Sequence, residues 1–403
     1  MKNILKSVSC FVFVSVLFCI LKVSANTDFE LWKQDFYQEA LKEGVSKTLL
    51  DKVLPEMDLL ERVIRLDTQK PVYIANFYDY MKTRIEPIRI EKGRKMLKKY
   101  PTWLSRVEEK YGIPKQYILA FWGMETNYGS FMGSVDMLDS LATLAYHPRR
   151  RRFFTNELIA YLKIVEKKGL AAPKIGSWDG GFGNFQFMPT TFLAYAVDAD
   201  NNGRRDIVRN IPDAFSSAAN YLRALKWRTN EPWGREVFLP KNFDWAHLHK
   251  YENKTVEEWE KLGLKPKHIS CFPDSEKEIM AEFHMPMGKD GPIFLTYPNF
   301  KIIMRWNKSS LYAFSIGLLA DIIENKYQPI KAPEGFKPFR TDDIVCMQEK
   351  LIKLGYLSGE ADGKVGVNTR TALRSYQKEN NLIQDAYPSK EILTKMECIN
   401  EKN

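Results

Sequence analysis

Apolar residues recur every three or four positions through most of this chain, and that spacing predicts a mainly α-helical protein. Within residues 28–110 the clearest stripe comprises Phe29, Trp32, Phe36 and Ala40. The same period predicts helices over Phe153–Glu166 and Ile211–Trp227. We interpret these stripes as surfaces that face the protein core.

Two stretches lack the helical period. Residues 172–190 are punctuated by glycine and proline, too irregular for a helix and too aromatic for a disordered linker. Loops of this kind on a helical scaffold commonly carry function. Within 229–305, the short apolar runs 292–297 and 300–306 look extended, and they predict a small β element.

The C-terminal part of the chain resembles a separate module. Residues 327–339 contain three prolines and a glycine, which mark a linker. Beyond it we expect amphipathic helices over Asp342–Leu354 and Thr369–Asn380, with a third short helix after Pro388. We assign residues 340–403 to a compact three-helix domain, and a small domain behind a flexible joint more often binds than catalyses.

The N-terminus has the pattern of a secretory signal. Lys2 and Lys6 precede the apolar run Val8–Leu21, and residues 23–25 (Val-Ser-Ala) form a small-residue cleavage site. The run is too short for a comfortable membrane span. Residues 1–25 are therefore expected to be a cleaved signal peptide, and an uncleaved N-terminal anchor is the alternative.

Charge and cysteine content exclude some classes of protein. The net charge of +10 is modest and spread out, unlike the basic stripe of a nucleic-acid-binding protein. It suits an anionic polymer of the cell envelope, and a solvated surface is equally compatible. In an exported protein Cys346 can join Cys398 and leave Cys271 free, but the sequence does not decide that pairing. A zinc site is not expected, because the sequence has no Cys/His cluster.

One carboxylate stands at the end of an apolar, aromatic run, YILAFWGMETNYG. We expect a helix that begins at Pro114 and ends near Gly129. At helical spacing, three aromatic residues then share the face of Glu125: Phe121, Trp122 and Tyr128.

Loss of hydration in such surroundings should raise the pKa of Glu125, so that it holds a proton near neutral pH. A general acid needs that property. The alternatives are a structural Glu paired with a base, or one that points to solvent at a helix end.

Several segments resemble one family, the lytic murein transglycosylases of the membrane-bound lytic transglycosylase B type. The matching segments are FWGMETNYGS (121–130), LATLAYHPRRRRFF (141–154), GSWDGGFGNFQFMPTTFLAYAVDADNNGRRDI (176–207), PDAFSSAANYL (212–222) and NFKIIMRWNKSSLYAFSIGLLAD (299–321). The tail that starts at DDIVCMQEKL resembles the common peptidoglycan-binding domain.

The resemblance implies a lysozyme-like, helical catalytic domain over 26–326 and a periplasmic enzyme. Its substrate would be the glycan strand of peptidoglycan, cleaved without water by one acid, Glu125, to leave 1,6-anhydromuramic ends. It implies no required cofactor, no nucleic-acid partner and a monomer, and leaves protein partners in the cell envelope unknown. A hydrolytic muramidase and a non-catalytic wall-binding scaffold are the alternatives.

The resemblance also implies substrate-binding positions: Ser177, Gln186, Asn307, Tyr312, Tyr221, Arg149 and Arg150, with Trp306 as a further aromatic candidate for sugar stacking. Ser177 and Gln186 are alternatively turn-forming polar residues. The tyrosines and Trp306 are alternatively core residues. The arginine pair alternatively begins a solvated helix.

An acidic loop reproduces the first half of a calcium-binding loop, with the candidate ligands Asp198, Asp200, Asn202 and Asp206. Some members of the family bind calcium in a related loop. Here the twelfth position is Arg209, where a bidentate Glu would normally stand, unless Asp213 supplies the missing acid. A weak or structural calcium site and a metal-free turn both remain open.

Overall fold

The computed structural model describes residues 27–69, 76–245 and 254–399 of the chain. The expected signal peptide and its cleavage site lie outside the described residues. Most of the described chain is helical and a small part forms strands, as predicted. Within these ranges no helix combines the length and the apolar character needed to cross a membrane.

The helices, in chain order, are 27–42, Lys47–Val53, Glu61–Thr68, Phe77–Arg84, Pro87–Lys99, Pro101–Tyr111, Lys115–Thr126, Met137–Tyr146, Arg151–Glu166, Pro189–Tyr195, Ile211–Ala224, Val256–Lys261, Pro298–Trp306, Ser310–Ile323, Thr341–Lys353, Val367–Glu379 and Lys390–Lys395. Four of them begin with a proline, namely Pro87, Pro101, Pro189 and Pro298. Proline suits this position because the first backbone N–H of a helix has no intrahelical acceptor.

The strands form two antiparallel sheets. Val135–Asp136 pairs with Ile175–Gly176 in a short ribbon. The larger sheet has five strands in the spatial order Lys254–Thr255, Met280–His284, Phe294–Thr296, Gly234–Phe238 and Lys265–Pro266. This sheet lies within 229–305, where the sequence predicted a small β element.

One predicted extended segment is wrong. Residues 300–306 belong to the helix Pro298–Trp306 and form no strand. Pro298 starts that helix, and Phe300 and Ile303 lie on its buried face. The buried positions follow the helical period of three to four residues, which the short window had concealed.

The chain divides into two compact units, each made from two separate parts of the sequence. The first unit comprises the chain up to Gln69 together with residues Gly129–Tyr221. Its helices Met137–Tyr146 and Arg151–Glu166 pack against each other. Glu157 is buried, and its carboxylate accepts hydrogen bonds from the backbone N–H and the hydroxyl of Thr190. These two bonds anchor the start of the helix Pro189–Tyr195, which follows the irregular loop.

The second unit comprises Lys70–Tyr128 and the chain from Leu222 onwards. Its central helix, Lys115–Thr126, packs against the helix Ser310–Ile323. Gly317 permits the close approach of the Trp233 ring, which a Cβ atom at that position would overlap.

The C-terminal helices enclose their own core, which includes Met347, Leu351, Leu373 and Leu393. A disulfide joins Cys346 to Cys398, with Cα atoms 5.6 Å apart, while Cys271 is free and exposed. The sequence left this pairing open. The bond closes a loop with a sequence separation of 52 residues, and a loop of that size corresponds to about 4 kcal/mol of stabilisation through the unfolded chain.

Candidate active site

The central helix positions Glu125 in its last turn. Every residue from Tyr117 to Gly123 is buried, so this helix is surrounded by apolar contacts on all sides. Glu125 itself is half-buried. The Glu125 carboxylate therefore lies where the end of this apolar helix reaches the surface of its own unit.

The central helix ends at Thr126, earlier than the sequence predicted. Asn127, Tyr128 and Gly129 all adopt left-handed backbone conformations, with φ of 48°, 59° and 74°. Three such residues in succession end a right-handed helix. The helical spacing that placed Tyr128 on the face of Glu125 therefore does not apply, and its ring packs at 5.6 Å against Trp122 instead.

Trp306 and Tyr312 donate hydrogen bonds to the same oxygen of Glu125. The indole Nε1 of Trp306 lies 3.0 Å from Oε1, and the Tyr312 hydroxyl donates to that atom as well. Phe121 lies one turn before Glu125, and its ring packs against Trp306 at a centroid distance of 4.5 Å. Two donors thus fix the carboxylate within an aromatic surround.

A corner between two helices supplies both donors. Trp306 ends the helix Pro298–Trp306, and the next helix starts at Ser310. Ser309 caps that start, because its hydroxyl accepts the N–H of Tyr312. Asn307 stands at the same corner and is exposed. The corner thereby brings Trp306 and Tyr312 to the central helix, with Asn307 next to Trp306 in the chain.

The electrostatics around Glu125 keep Tyr312 protonated. Burial raises the pKa of Tyr312 well above its ordinary value, and the adjacent Glu125 carboxylate raises it further. Burial also raises the pKa of Tyr80; Arg84 opposes this rise, while the charge of Glu125 adds to it. Tyr80 is a neighbour of Glu125 that the sequence analysis missed, because a tyrosine on the helix Phe77–Arg84 carries no local signal.

The first unit contains a glycine-rich loop, residues 176–188, which holds Ser177. The Ser177 hydroxyl accepts the N–H of Gly181 at 2.8 Å and lies 2.6 Å from an oxygen of Asp179, to which it donates. These bonds agree with the turn-forming alternative for Ser177. A sugar contact at Ser177 stays a prediction, which the remaining acceptor capacity of the hydroxyl permits.

Gln186 lies close to Ser177. A Cβ atom added to Gly181 would contact both the Ser177 hydroxyl and Gln186. Its φ of 49° is unusual for a residue other than glycine. Its amide nitrogen donates to the carbonyls of Gly183 at 3.0 Å and Met132 at 3.2 Å. Such backbone strain costs about 1–3 kcal/mol and clusters at functional sites.

Tyr221 is half-exposed and belongs to an aromatic group in the first unit. Its ring lies 4.8 Å from that of Tyr195 and 5.7 Å from that of Phe187, which directly follows Gln186. The structure thus joins the Tyr221 side chain to the glycine-rich loop through Phe187.

Arg149 and Arg150 have a partner within the protein. Both guanidinium groups form ion pairs with the buried carboxylate of Asp67. Burial alone would raise the pKa of Asp67, but the hydrogen bonds from Arg150 and Arg149 lower it below its ordinary value. Substrate binding by this pair stays a prediction, and it would use the N–H groups that Asp67 does not occupy.

The acidic loop brings together a different set of ligands from the predicted one. Carboxylate oxygens of Asp198, Asp200 and Asp213 lie within 4.8 Å of one another. Asp206 instead caps the turn that follows, where it accepts the N–H groups of Val208 and Arg209. Asp213 therefore lies near two of the predicted ligands, where its carboxylate also accepts the N–H groups of Ala199 and Asp206.

Two family models match the chain. The transglycosylase SLT domain matches residues 28–321, and a putative peptidoglycan binding domain matches residues 340–396. The first match covers most of the sequence, and the chain belongs to the transglycosylase SLT domain family.

The relatives are enzymes of the bacterial cell wall. The chain is 28% identical over 298 residues to the membrane-bound lytic murein transglycosylase B of Escherichia coli strain K12, a match that covers 70% of this chain and 79% of that protein. The crystal structure of SltB3 from Pseudomonas aeruginosa in complex with NAG-anhNAM-pentapeptide is similar at 35% identity, with a TM-score of 0.85 and coverage of 92% of this chain and 99% of that one.

A third relative, the E. coli lytic transglycosylase Slt35 in complex with calcium, is 27% identical, with a TM-score of 0.61 and coverage of 73% and 92%. Together these comparisons confirm the predicted family, the lysozyme-like helical fold class and the predicted enzyme class. The chain is a peptidoglycan lytic transglycosylase.

Proposed function

We propose that Glu125 is the single acid and base of this transglycosylase. It would cleave the bond between N-acetylmuramic acid and N-acetylglucosamine and leave a 1,6-anhydro end. The observation that carries the proposal is the half-buried carboxylate held by hydrogen bonds from Trp306 and Tyr312.

In the first step, Glu125 donates its proton to the glycosidic oxygen as the bond to C1 of muramic acid breaks. The glucosamine leaves with that proton, and positive charge develops at C1 and the ring oxygen. Glu125 becomes a carboxylate at this point. The donors Trp306 and Tyr312 then stabilise the new negative charge, since hydrogen bonds to ionised groups are roughly twice as strong as neutral ones.

In the second step, the C6 hydroxyl of the same muramic acid attacks C1. Glu125 accepts the proton from that hydroxyl, which returns the enzyme to its starting state. An intramolecular nucleophile has a high effective concentration, so neither a second carboxylate nor a bound water is required. Ordinary glycosidases use two carboxylates for the same purpose.

Four further residues are proposed to bind the glycan: Ser177, Gln186, Asn307 and Tyr221. The backbone strain at Gln186 and the half-exposed ring of Tyr221 support the assignment. Arg149 and Arg150 are proposed to meet the carboxylates of the peptide substituent, as arginine forks recognise carboxylates. Tyr312 is proposed to act mainly through Glu125.

The acidic loop is proposed to hold calcium through Asp198, Asp200 and Asp213. The donor set fits the ion, because calcium prefers carboxylate oxygens and Gly203 supplies the sharp turn such loops need, with φ of 81°. Asn202 and Asp206 are not needed as side-chain ligands in this proposal. A bound ion would neutralise three neighbouring acids and stiffen the loop.

The wider organisation is also a proposal. We place a signal peptide at 1–25, the catalytic domain at 26–326, a linker at 327–339 and the wall-binding domain at 340–403. The disulfide Cys346–Cys398 supports export to an oxidising compartment such as the periplasm. A tethered wall-binding domain would keep a monomeric enzyme on its polymer.

Product analysis tests the mechanism. Purified glycan strands are digested by the wild-type protein and by Glu125→Gln, and the products are examined by mass spectrometry. We expect anhydro ends from the wild type and a rate loss of about 10³-fold or more in the variant. Products one water heavier would indicate a hydrolytic muramidase, and an active Glu125→Gln protein would remove Glu125 from the mechanism.

A further inference from the structure

Phe131 exposes more of its side chain than the other exposed phenylalanines. It is 65% exposed, against 47% for Phe153 and 54% for Phe238. The ring of Phe153 packs against Phe154 at 5.0 Å, and Lys267 lies over the ring of Phe238 at 5.7 Å. Within the described residues Phe131 has no aromatic or cationic partner. A large apolar surface is therefore open at this position.

The backbone that carries Phe131 is fixed. The carbonyl of the next residue, Met132, accepts a hydrogen bond from the side chain of Gln186 at 3.2 Å. Gly133 has a φ of 105° and packs so closely that a Cβ atom would overlap the backbone of Gly176. An exposed ring on a fixed loop loses little conformational entropy when it binds a ligand.

Strand pairing places Phe131 beside the glycine-rich loop. In the short antiparallel ribbon, Val135 lies opposite Gly176. The chain before Val135 and the chain after Gly176 therefore leave the ribbon at the same end. Phe131 precedes that point, while Ser177 and Gln186 follow it.

We propose that Phe131 stacks on a sugar ring of the peptidoglycan strand and sets the affinity for that substrate. The proposal rests on the glycan-binding role assigned above to the glycine-rich loop. One face of a pyranose ring presents mainly C–H groups, which complement the negative face of an aromatic ring. The same sugar offers hydroxyl and N-acetyl groups at its edge, where Ser177 and Gln186 supply polar atoms.

Binding to an inactive enzyme provides the first test. In the Glu125→Gln background, we would measure the Kd for un-cross-linked glycan strands with and without Phe131→Ala. Loss of one stacking contact should weaken binding about 5- to 20-fold. Phe131→Trp should restore binding to within about twofold. Phe153→Ala and Phe238→Ala are matched controls, and neither should change the Kd.

Steady-state kinetics provides the second test. Phe131→Ala in the otherwise wild-type enzyme should raise KM by a similar factor, while kcat and the unfolding temperature change little. Because the C-terminal domain is also proposed to bind the wall, KM is the decisive quantity, and an unchanged KM in Phe131→Ala would overturn the proposal. An equal loss in Phe131→Trp would also overturn it, because a wider ring should still stack. The role of Glu125 is tested separately, by the activity of Glu125→Gln, which does not depend on this result.

Discussion

The indole nitrogen of Trp306 lies 3.0 Å from Oε1 of Glu125, although 181 residues separate the two along the chain. The Tyr312 hydroxyl meets the same oxygen. The surroundings of the Glu125 carboxylate are therefore set by a distant helix corner as well as by its own helix.

Removing either donor should slow the reaction and change its pH dependence. Tyr312→Phe and Trp306→Phe each delete one hydrogen bond to a charged group, worth about 1.5–3 kcal/mol, so kcat/KM should fall roughly 10- to 100-fold. A carboxylate with one donor fewer keeps its proton to higher pH. The alkaline limb of the rate profile should therefore move upward in pH.

The measurement is kcat/KM for glycan strands across the pH range. Tyr111→Phe is the control, since it removes the hydroxyl of another buried tyrosine and keeps both donors to Glu125. A Tyr312→Phe enzyme with the wild-type rate and pH profile would show that the hydroxyl has no influence on the acid.

Stability should depend on the ionisation of Asp321. Its carboxylate accepts the indole N–H of Trp233 at 2.8 Å, and burial raises its pKa to about 6. The folded protein therefore binds this proton more tightly than the unfolded chain does. The resulting stabilisation is complete below the unfolded value of about 4 and is lost as the pH rises through 6.

Asp321→Asn removes the buried charge and keeps an acceptor for Trp233. It should raise the unfolding temperature at pH 8, with a gain of about 1–3 kcal/mol, and the gain should disappear near pH 4.5. Thermal unfolding at several pH values checks this expectation. An equal difference at both pH values would exclude the titration of Asp321 as the cause.

Loss of the disulfide should destabilise the C-terminal helices selectively. Replacing both Cys346 and Cys398 by serine restores the freedom of the unfolded loop, at a cost of about 4 kcal/mol. Limited proteolysis at rising temperature should detect earlier cleavage within 340–399. Cys271→Ser is the matched control, because that thiol is free and exposed. A double variant as resistant as the control would contradict the expectation.

Calcium should stabilise the first unit through the acidic loop. Adding calcium to the chelated protein should raise the unfolding temperature, as expected for any ion that binds only the folded state. Asp200→Asn should abolish the shift, and Asp179→Asn, outside this loop, should preserve it. No shift in the wild-type protein would leave the loop as a metal-free turn.

The sequence predicted the features that short stretches of residues determine. The helical period located most helices, and the ETNYG motif singled out Glu125. The contact of Trp306 with Glu125 depends on packing across the second unit, which no short window contains. The resemblance marked Trp306 and Tyr312 as positions of interest but did not indicate their shared oxygen.

Two further contacts in the structure were not predicted from the sequence, each for a specific reason. Asp67 pairs with Arg149 and Arg150 from a separate helix. The arginine run alone therefore could not identify Asp67 as the partner of these arginines. Tyr80 lies near enough to Glu125 for the carboxylate to raise the pKa of Tyr80, but its helix, Phe77–Arg84, has no distinctive motif. Side chains that act through tertiary contacts leave little trace in the local pattern.

The approach of Trp233 to Gly317 limits how this fold can change over evolution. A methyl group at position 317 would occupy the space of the indole ring. Relatives that carry alanine or serine there should therefore carry a smaller side chain in place of Trp233, so the two positions should vary together. Such paired changes would also remove the indole that binds Asp321, and would mark a branch of the family with a different charge balance in its interior.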